Sequence, residues 1–404
     1  MSRSAIKPII LLILLTLISA CAPAATEVFP TATAVPASPT AIPPTATPTQ
    51  VPPTATSAPT LPPTAVPPTE VPPTAPPAPA ISWKQVAALD MPDSLVNTIL
   101  FSPDSQTMIT GDRNGEVLTW ARDTWEKTTL QPARSTYAAD DAAGIWYWGT
   151  LALSPDGSLI VNAYGDDGVV TGYDRTGRVV FTYSFGSRVW AVAISPDGKL
   201  LAVAGLPNNV VIISLETYQP VANLVSDYEY IFNLVFSPDG KTLLVAYERP
   251  GNVIKLWDTA AWQETSTFTH VTERIDYHDI LFTPDGTELI LATNQLGDPI
   301  GVRLWDLAGS QIVKEFRQNS QAAYQVALSP DGRLLASVHE ALQVWNMETG
   351  AAIKTIRVPH KELGAVAFSP DGALVAFLYG KRVCRCGRFL LPRAARPGRW
   401  LKSK

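Results

Sequence analysis

From Trp83 onward the chain is written in short apolar runs separated by polar turns. Ala191-Val192-Ala193-Ile194 leads into Ser195-Pro196-Asp197-Gly198, and Leu200-Leu201-Ala202-Val203 follows at once. Such runs, bounded by Pro, Asp and Gly, predict strands joined by tight turns. Proline presets the turn, aspartate satisfies local backbone donors, and glycine takes the positive φ. The same mark recurs at Ser102-Pro103-Asp104, Ser154-Pro155-Asp156-Gly157, Ser237-Pro238-Asp239-Gly240, Thr283-Pro284-Asp285-Gly286, Ser329-Pro330-Asp331-Gly332 and Ser369-Pro370-Asp371-Gly372. The seven copies are spaced by 52, 41, 42, 46, 46 and 40 residues. A second polar turn follows, as at Gly165-Asp166-Asp167-Gly168, and then a third strand ending in an aromatic: Trp120, Tyr173, Trp257, Trp305 or Trp345. A fourth strand, for example Gln311 to Phe316, closes the unit. A four-stranded unit at this period is the signature of a propeller blade. The pattern predicts an all-β, seven-bladed β-propeller of four-stranded antiparallel blades.

Trp257-Asp258 and Trp305-Asp306, with the near match Trp345-Asn346, resemble the dipeptide that names the WD-repeat family. The resemblance covers roughly residues 82–380. It implies that Trp120, Trp257, Asp258, Trp305, Asp306 and Trp345 are structural residues of the repeat. It also implies that the N-terminal strand, Trp83 to Leu89, completes the last blade, so that no sheet edge stays open. The family's His–Ser/Thr–Trp–Asp hydrogen-bond tetrad is mostly absent, since only His360 and His270 stand near the histidine position. Many functions share this fold, so the resemblance names no partner.

The segment before Trp83 reads as an address. Arg3 and Lys7 precede the short apolar run Ile9 to Ala20, the form of a signal peptide rather than a span. Ile18-Ser19-Ala20-Cys21 resembles the bacterial lipoprotein box, which implies lipidation of Cys21; an ordinary secretory signal with a chance cysteine is the other reading. Ala22 to Ala80 repeats variations on Pro-Pro-Thr-Ala and holds 19 of the 36 prolines between Cys21 and Ala80. Proline fixes φ and removes a donor, so this stretch predicts an extended stalk, about 3.1 Å per residue and of order 180 Å in reach. The expected organisation is a signal peptide over 1–20, lipidated cysteine and stalk over 21–81, propeller over 82–383 and a basic tail over 384–404. The expected location is exported and lipid-anchored to the cell membrane or envelope, facing the extracytoplasmic side.

Charge sharpens this picture. The net charge is −5, but Lys381 to Lys404 holds nine Lys or Arg and no acid, leaving −14 for residues 1–380. An acidic globular part argues against nucleic acid as partner. The only cysteines are Cys21, Cys384 and Cys386, so no disulfide framework holds the fold. Blade seven needs a third strand after Tyr379, yet the chain reads Lys381-Arg382-Val383-Cys384-Arg385-Cys386-Gly387. Read one base earlier, codons for this stretch permit Thr-Gly-Val-Ser-Val-Trp, and a shifted frame is the expectation. A two-cysteine metal site, or a basic segment for nucleic acid or anionic lipid, are the rival readings.

No catalytic constellation appears, and no cofactor or metal is expected. His270, His278, His339 and His360 fall on separate blades, and the pairs Asp140/Asp141 and Asp166/Asp167 lie in loops. The strands expected to line the channel are dominated by Ala, Val, Leu and Phe. The binding signal lies at the rim. Five residues before the mark, blades three to six carry Trp190, Phe232, His278 and Tyr324, with Tyr228, Glu229, Tyr230, Asp276 and Tyr277 nearby. The longest interval places an insertion near Tyr137 to Trp148, with Asp140, Asp141, Trp146 and Tyr147, on the same face. Aromatics with carboxylates suit protein hot spots or sugar stacking; packing between blades is the alternative for the rings. The expected function is a non-catalytic scaffold for an unidentified protein, with glycan or cell-wall binding as the alternative and a channel-site enzyme as the third reading.

Overall fold

In the computed structural model, residues 82–90, 96–112, 114–133, 151–164, 168–206, 208–249, 252–269, 276–294, 300–317, 323–339, 341–357, 364–379 and 383–390 are described. The signal peptide, Cys21, the stalk, His270, His360 and the insertion with Asp140, Asp141, Trp146 and Tyr147 lie outside these residues.

The described strands form seven four-stranded antiparallel sheets, the predicted seven-bladed propeller. Blades one to six run through 96–131, 151–184, 189–225, 229–269, 276–317 and 325–357. Blade seven is formed by Val366–Phe368, Val375–Tyr379, Val383–Leu390 and the N-terminal strand Ser82–Asp90. The first strand of each blade touches the first strand of both neighbours all the way round, so the first strands line the axis.

Each mark builds the same turn seven times. The Ser or Thr hydroxyl donates to the mark's own aspartate at 2.5–2.7 Å in all seven copies. That hydroxyl also accepts the N–H of the residue five positions on, at 2.8–3.1 Å. The carboxylate accepts a second N–H two residues later, from Gln106, Ser158, Lys199, Lys241, Thr287, Arg333 and Ala373. The glycine that closes the turn sits at φ from +65° to +72°, and Ser105 holds this place in the first copy at φ 60°. Four N–H groups of each hairpin are thereby answered within the hairpin, while the Asp371 N–H reaches Ser105 Oγ in the mark of blade one at 3.0 Å.

The core lies between blades rather than within them. One buried cluster occupies each interface: Ile109, Val117, Leu151 and Ile160 join blades one and two, and Ala191, Leu234, Phe236 and Leu243 join three and four. The same arrangement recurs at the five other interfaces. Trp120, Tyr173 and Trp345 are at most 3% exposed, as third-strand anchors of this core. Trp257 and Trp305 are buried likewise. The tetrad survives in part: Trp120 Nε1 donates to Thr110 Oγ1 at 3.1 Å, and Trp345 Nε1 to Ser337 Oγ at 3.3 Å. Asp258 and Asp306 accept N–H groups of the following turn, from Ala260 and Ala261 and from Gly309.

Ring closure differs from the boundary drawn on the sequence. The third strand of blade seven is Val383–Leu390, so residues 384–390 belong to the propeller and not to a tail. It pairs with the N-terminal strand from Ser82↔Leu390 to Asp90↔Val383. Alternation explains why the basic segment is accepted: Cys384 and Cys386 point into the core shared with blade one, while Arg388 is exposed. The two cysteines are free and buried, and among the described residues no His/Cys/Asp/Glu group has the make-up of a metal site. Gly387 pairs with Val375, the position at which Met108↔Trp120, Leu243↔Trp257 and Leu335↔Trp345 place the repeat aromatic in other blades. A Cβ at Gly387 would strike the ring of Trp83, which fills the space the aromatic would take.

Candidate functional site: the aromatic rim and the channel wall

In this topology the loops entering each first strand and those joining second and third strands share one face. Trp190 lies at the start of blade three's first strand and Tyr230 at the start of blade four's. Their rings meet edge-on, centroids 6.1 Å apart at 65°. The Arg188 guanidinium lies over Trp190 at 5.6 Å, within the reach of a cation–π contact. Tyr230 is 37% exposed, and its backbone sits at φ 58°, where a bulky L-residue is strained. Its N–H points to Asn208 Oδ1 at 3.4 Å, on the loop between second and third strands of blade three. Behind it, Tyr228 is half-buried against Tyr247 at 5.6 Å, with Lys255 Nζ 5.1 Å above its ring. Lys255 is paired with Glu264 at 2.7 Å.

The expected row of rings is only partly assembled. Phe232 packs against the core cluster between blades four and five, so it serves the interface and not the rim. Tyr324 is half-buried and stacks edge-on with His339 at 4.5 Å, two blades away from Tyr230. The backbone of His278 lies on blade five's first strand, at a bulge between Tyr277 and Asp279; its side chain lies outside the description. Of the expected residues Trp190 and Tyr230 are thus brought together, and Arg188, which the count from the mark did not include, joins them.

The channel wall is more polar than its sequence suggested. Four residues before each mark the described blades carry Thr98, Ala191, Asn233, Asp279, Gln325 and Ala365. Asn233 Nδ2 of blade four donates to Asp279 Oδ1 at 2.9 Å, and the Val326 N–H of blade six donates to Asp279 Oδ2 at 3.1 Å. Gln325 Oε1 in turn accepts the Val366 N–H of blade seven at 2.8 Å. Innermost strands have no partner on the axial side, so their N–H groups there need acceptors; these side chains supply them and tie four blades together. Burial of the Asp279 carboxyl raises its pKa to about 7, against the lowering effect of Val326, Asn233 and the Ile280 N–H. Counting back four residues instead of five would have found this belt.

Comparison with known proteins agrees with this geometry. Residues 83–120 and 177–214 match the family model described as WD domain, G-beta repeat. Two segments of the chain thus match the WD repeat. The first matched segment begins in the closing strand of blade seven and ends at Trp120 in blade one, so the sequence repeat straddles two blades. An uncharacterized WD repeat-containing protein of Synechocystis sp. is 27% identical over 144 residues, 36% of this chain and 39% of that protein. Transducin beta-like protein 3 of Bos taurus is 28% identical over 222 residues, 52% of this chain and 26% of that protein. Small ribosomal subunit protein RACK1 of Candida albicans is 32% identical over 128 residues, 30% of this chain and 39% of that protein. The chain thus spans well under half the length of each of these three relatives.

Proposed function

We propose that this chain is an exported, lipid-anchored WD-repeat propeller that acts as a non-catalytic platform for a protein partner, engaged at the rim around Trp190 and Tyr230. The observation that carries the reading is Tyr230, a large exposed ring held in the left-handed backbone region beside a stacked Trp190–Arg188 pair. Strain of this kind persists only where the surroundings impose it, and Trp, Tyr and Arg are the residues enriched at hot spots. Two relatives are, by their names, parts of larger assemblies: a Target of rapamycin complex subunit of Schizosaccharomyces pombe and the small ribosomal subunit protein.

The test compares envelope proteins retained by the wild-type chain and by Tyr230→Ala/Arg188→Ala. A polypeptide held by the first and lost from the second supports the rim. Identical recovery by both overturns it, and a glycan retained in the same differential way would place a sugar on the rings instead. The anchor is tested separately. Cys21→Ser is expected to abolish labelling by radioactive palmitate and move the chain out of the membrane fraction; unchanged labelling would remove Cys21 as the lipid site.

A further inference from the structure

The opposite face carries the mark turns and the turns between third and fourth strands, and there neighbouring blades are joined unequally. After the third strand of blade one comes Arg122, whose N–H donates to Gln106 O at 2.9 Å. Its Nη1 donates to Ser105 O in its own mark at 3.0 Å and to Asp371 Oδ2, in the mark of blade seven, at 2.6 Å. The equivalent of blade two is Arg175. Its Nε donates to Gly157 O at 2.7 Å and its Nη2 to Asp156 O at 2.5 Å. Its charge also acts on Asp104, in the mark of blade one. At both interfaces an arginine therefore lies between its own mark and the preceding one, answering a turn carbonyl and facing a carboxylate.

The arginine is confined to blades one and two; blades five and six carry Leu307 and Met347 in its place, and blade three carries the leucine that stands beside a cavity. That leucine is Leu215, fixed by the same backbone bond, its N–H to Lys199 O at 2.8 Å. Leucine has no donor to offer. Where the arginines fill space in blades one and two, the interface of blades two and three holds an open cavity of about 350 Å³. Its walls include Asp156 from one mark, Asp197 and Gly198 from the next, and Leu215, Tyr218 and Val180. Tyr218 is braced by stacking on Phe181 at 4.9 Å and 17°. Blade four closes its own version differently, with Thr259 Oγ1 donating to Gly240 O at 2.8 Å.

We propose that the cavity between blades two and three receives an arginine side chain from a partner protein, in the place that Arg122 and Arg175 occupy at the two preceding interfaces. By register, Gly198 O corresponds to the carbonyl that Arg122 meets in Ser105, and Asp156 to the carboxylate it meets in Asp371. A guanidinium offers several donors in a planar fork and answers a carbonyl and a carboxylate together, which a lysine ammonium does less well. Leu215, Val180 and the Tyr218 ring suit the aliphatic stem. The carboxylates are charged at neutral pH, since the Ser154 and Ser195 hydroxyls hold Asp156 and Asp197 below the usual range. The site lies on the face away from Trp190 and Tyr230, so it stands or falls independently of the rim.

The experiment is calorimetric titration of the full chain with N-acetyl-arginine methylamide at low ionic strength, with the lysine and citrulline analogues alongside. Arginine is expected to bind at least tenfold more tightly than neutral citrulline and more tightly than lysine. Leu215→Arg, which supplies the side chain in cis, is expected to abolish the titration and raise the thermal midpoint. Equal binding of arginine and citrulline, equal binding of arginine and lysine, or no binding of any probe would overturn the proposal. So would an undiminished titration in Leu215→Arg. Should that variant fail to fold, the three-ligand comparison on the wild type decides alone.

Discussion

Trp83→Ala is expected to be among the most destabilising single substitutions in the propeller, lowering unfolding free energy by about 3 kcal/mol. Trp83 does two jobs at the point where the ring closes. Its strand supplies the whole outer edge of blade seven, paired with Val383–Leu390 along its length. Its ring covers Gly387 and meets Phe377 at 6.0 Å and 54°, at the cluster shared with blade six. Truncation leaves a void over a glycine, which has no side chain to move into it, so relaxation recovers little. The magnitude is set near the lower end for buried Trp→Ala because Trp83 itself is only partly buried. Urea unfolding followed by circular dichroism checks this. Trp83→Phe should recover part of the loss, because a ring over Gly387 is restored. An unchanged midpoint in Trp83→Ala would mean that closure does not depend on this packing.

How far the molecule was legible in its sequence follows from which residues repeat. The blades were legible because each mark carries its own physics: hydroxyl, carboxylate and glycine answer the turn locally, whatever the neighbours are. Closure by the N-terminal strand was legible only through the family resemblance. The end of blade seven was not. Its third strand hides in Val383–Leu390, where basic residues alternate with Cys384 and Cys386, and a strand with one buried face needs only every second residue to be apolar. Gly387 now stands in the aromatic slot, the place at which codons read one base earlier permit tryptophan. The rim was half legible. A count of five back from the mark locates large rings, and the same first-strand bulge falls at Trp190, Phe232 and His278, so the backbone register does not decide which of them face solvent. Both rings are half-buried, Phe232 against the core cluster of blades four and five and Trp190 against Tyr230, and nothing in the residue types separates them. The channel belt escaped because Asn233, Asp279 and Gln325 are single polar residues in apolar runs, and their meaning appears only when three blades are side by side.

The stability of the propeller is expected to fall on both sides of a maximum between about pH 4 and 5, for opposite reasons on the two sides. On the acid side act the turn aspartates. Asp104, Asp156, Asp197, Asp239 and Asp285 are held below the ordinary carboxylate value by the hydroxyl of their own mark, Asp156 at about 2. Asp371 is lowered in spite of its burial, by Ser369, then by the Ala373 N–H and by Arg122. A carboxyl whose folded value is depressed contributes stability that is present above its unfolded value and lost as pH falls through the folded one. These six therefore act together between about pH 4 and pH 2, and because they sit in six different blades the loss is spread over the whole ring. On the other side stands Asp279, raised by burial to about 7. A raised group contributes stability that is complete below its unfolded value and is lost as pH rises through its folded one. One proton is at stake, so the slope there is at most ~1.4 kcal/mol per pH unit. Glu116 and Glu288, raised by burial and then by neighbouring aspartates, add to the start of this limb. Urea midpoints measured from pH 2.5 to 8.5 at constant ionic strength would trace the dome. Asp279→Asn is expected to flatten the limb between pH 5 and 7 while leaving the acid limb in place. Its acid-side behaviour must match the wild type, because the mark turns do not touch the channel belt. A wild type whose midpoint stays level from pH 5 to 8 would show that Asp279 ionises freely where it stands, and that the Asn233 and Val326 donors outweigh the burial of its carboxyl.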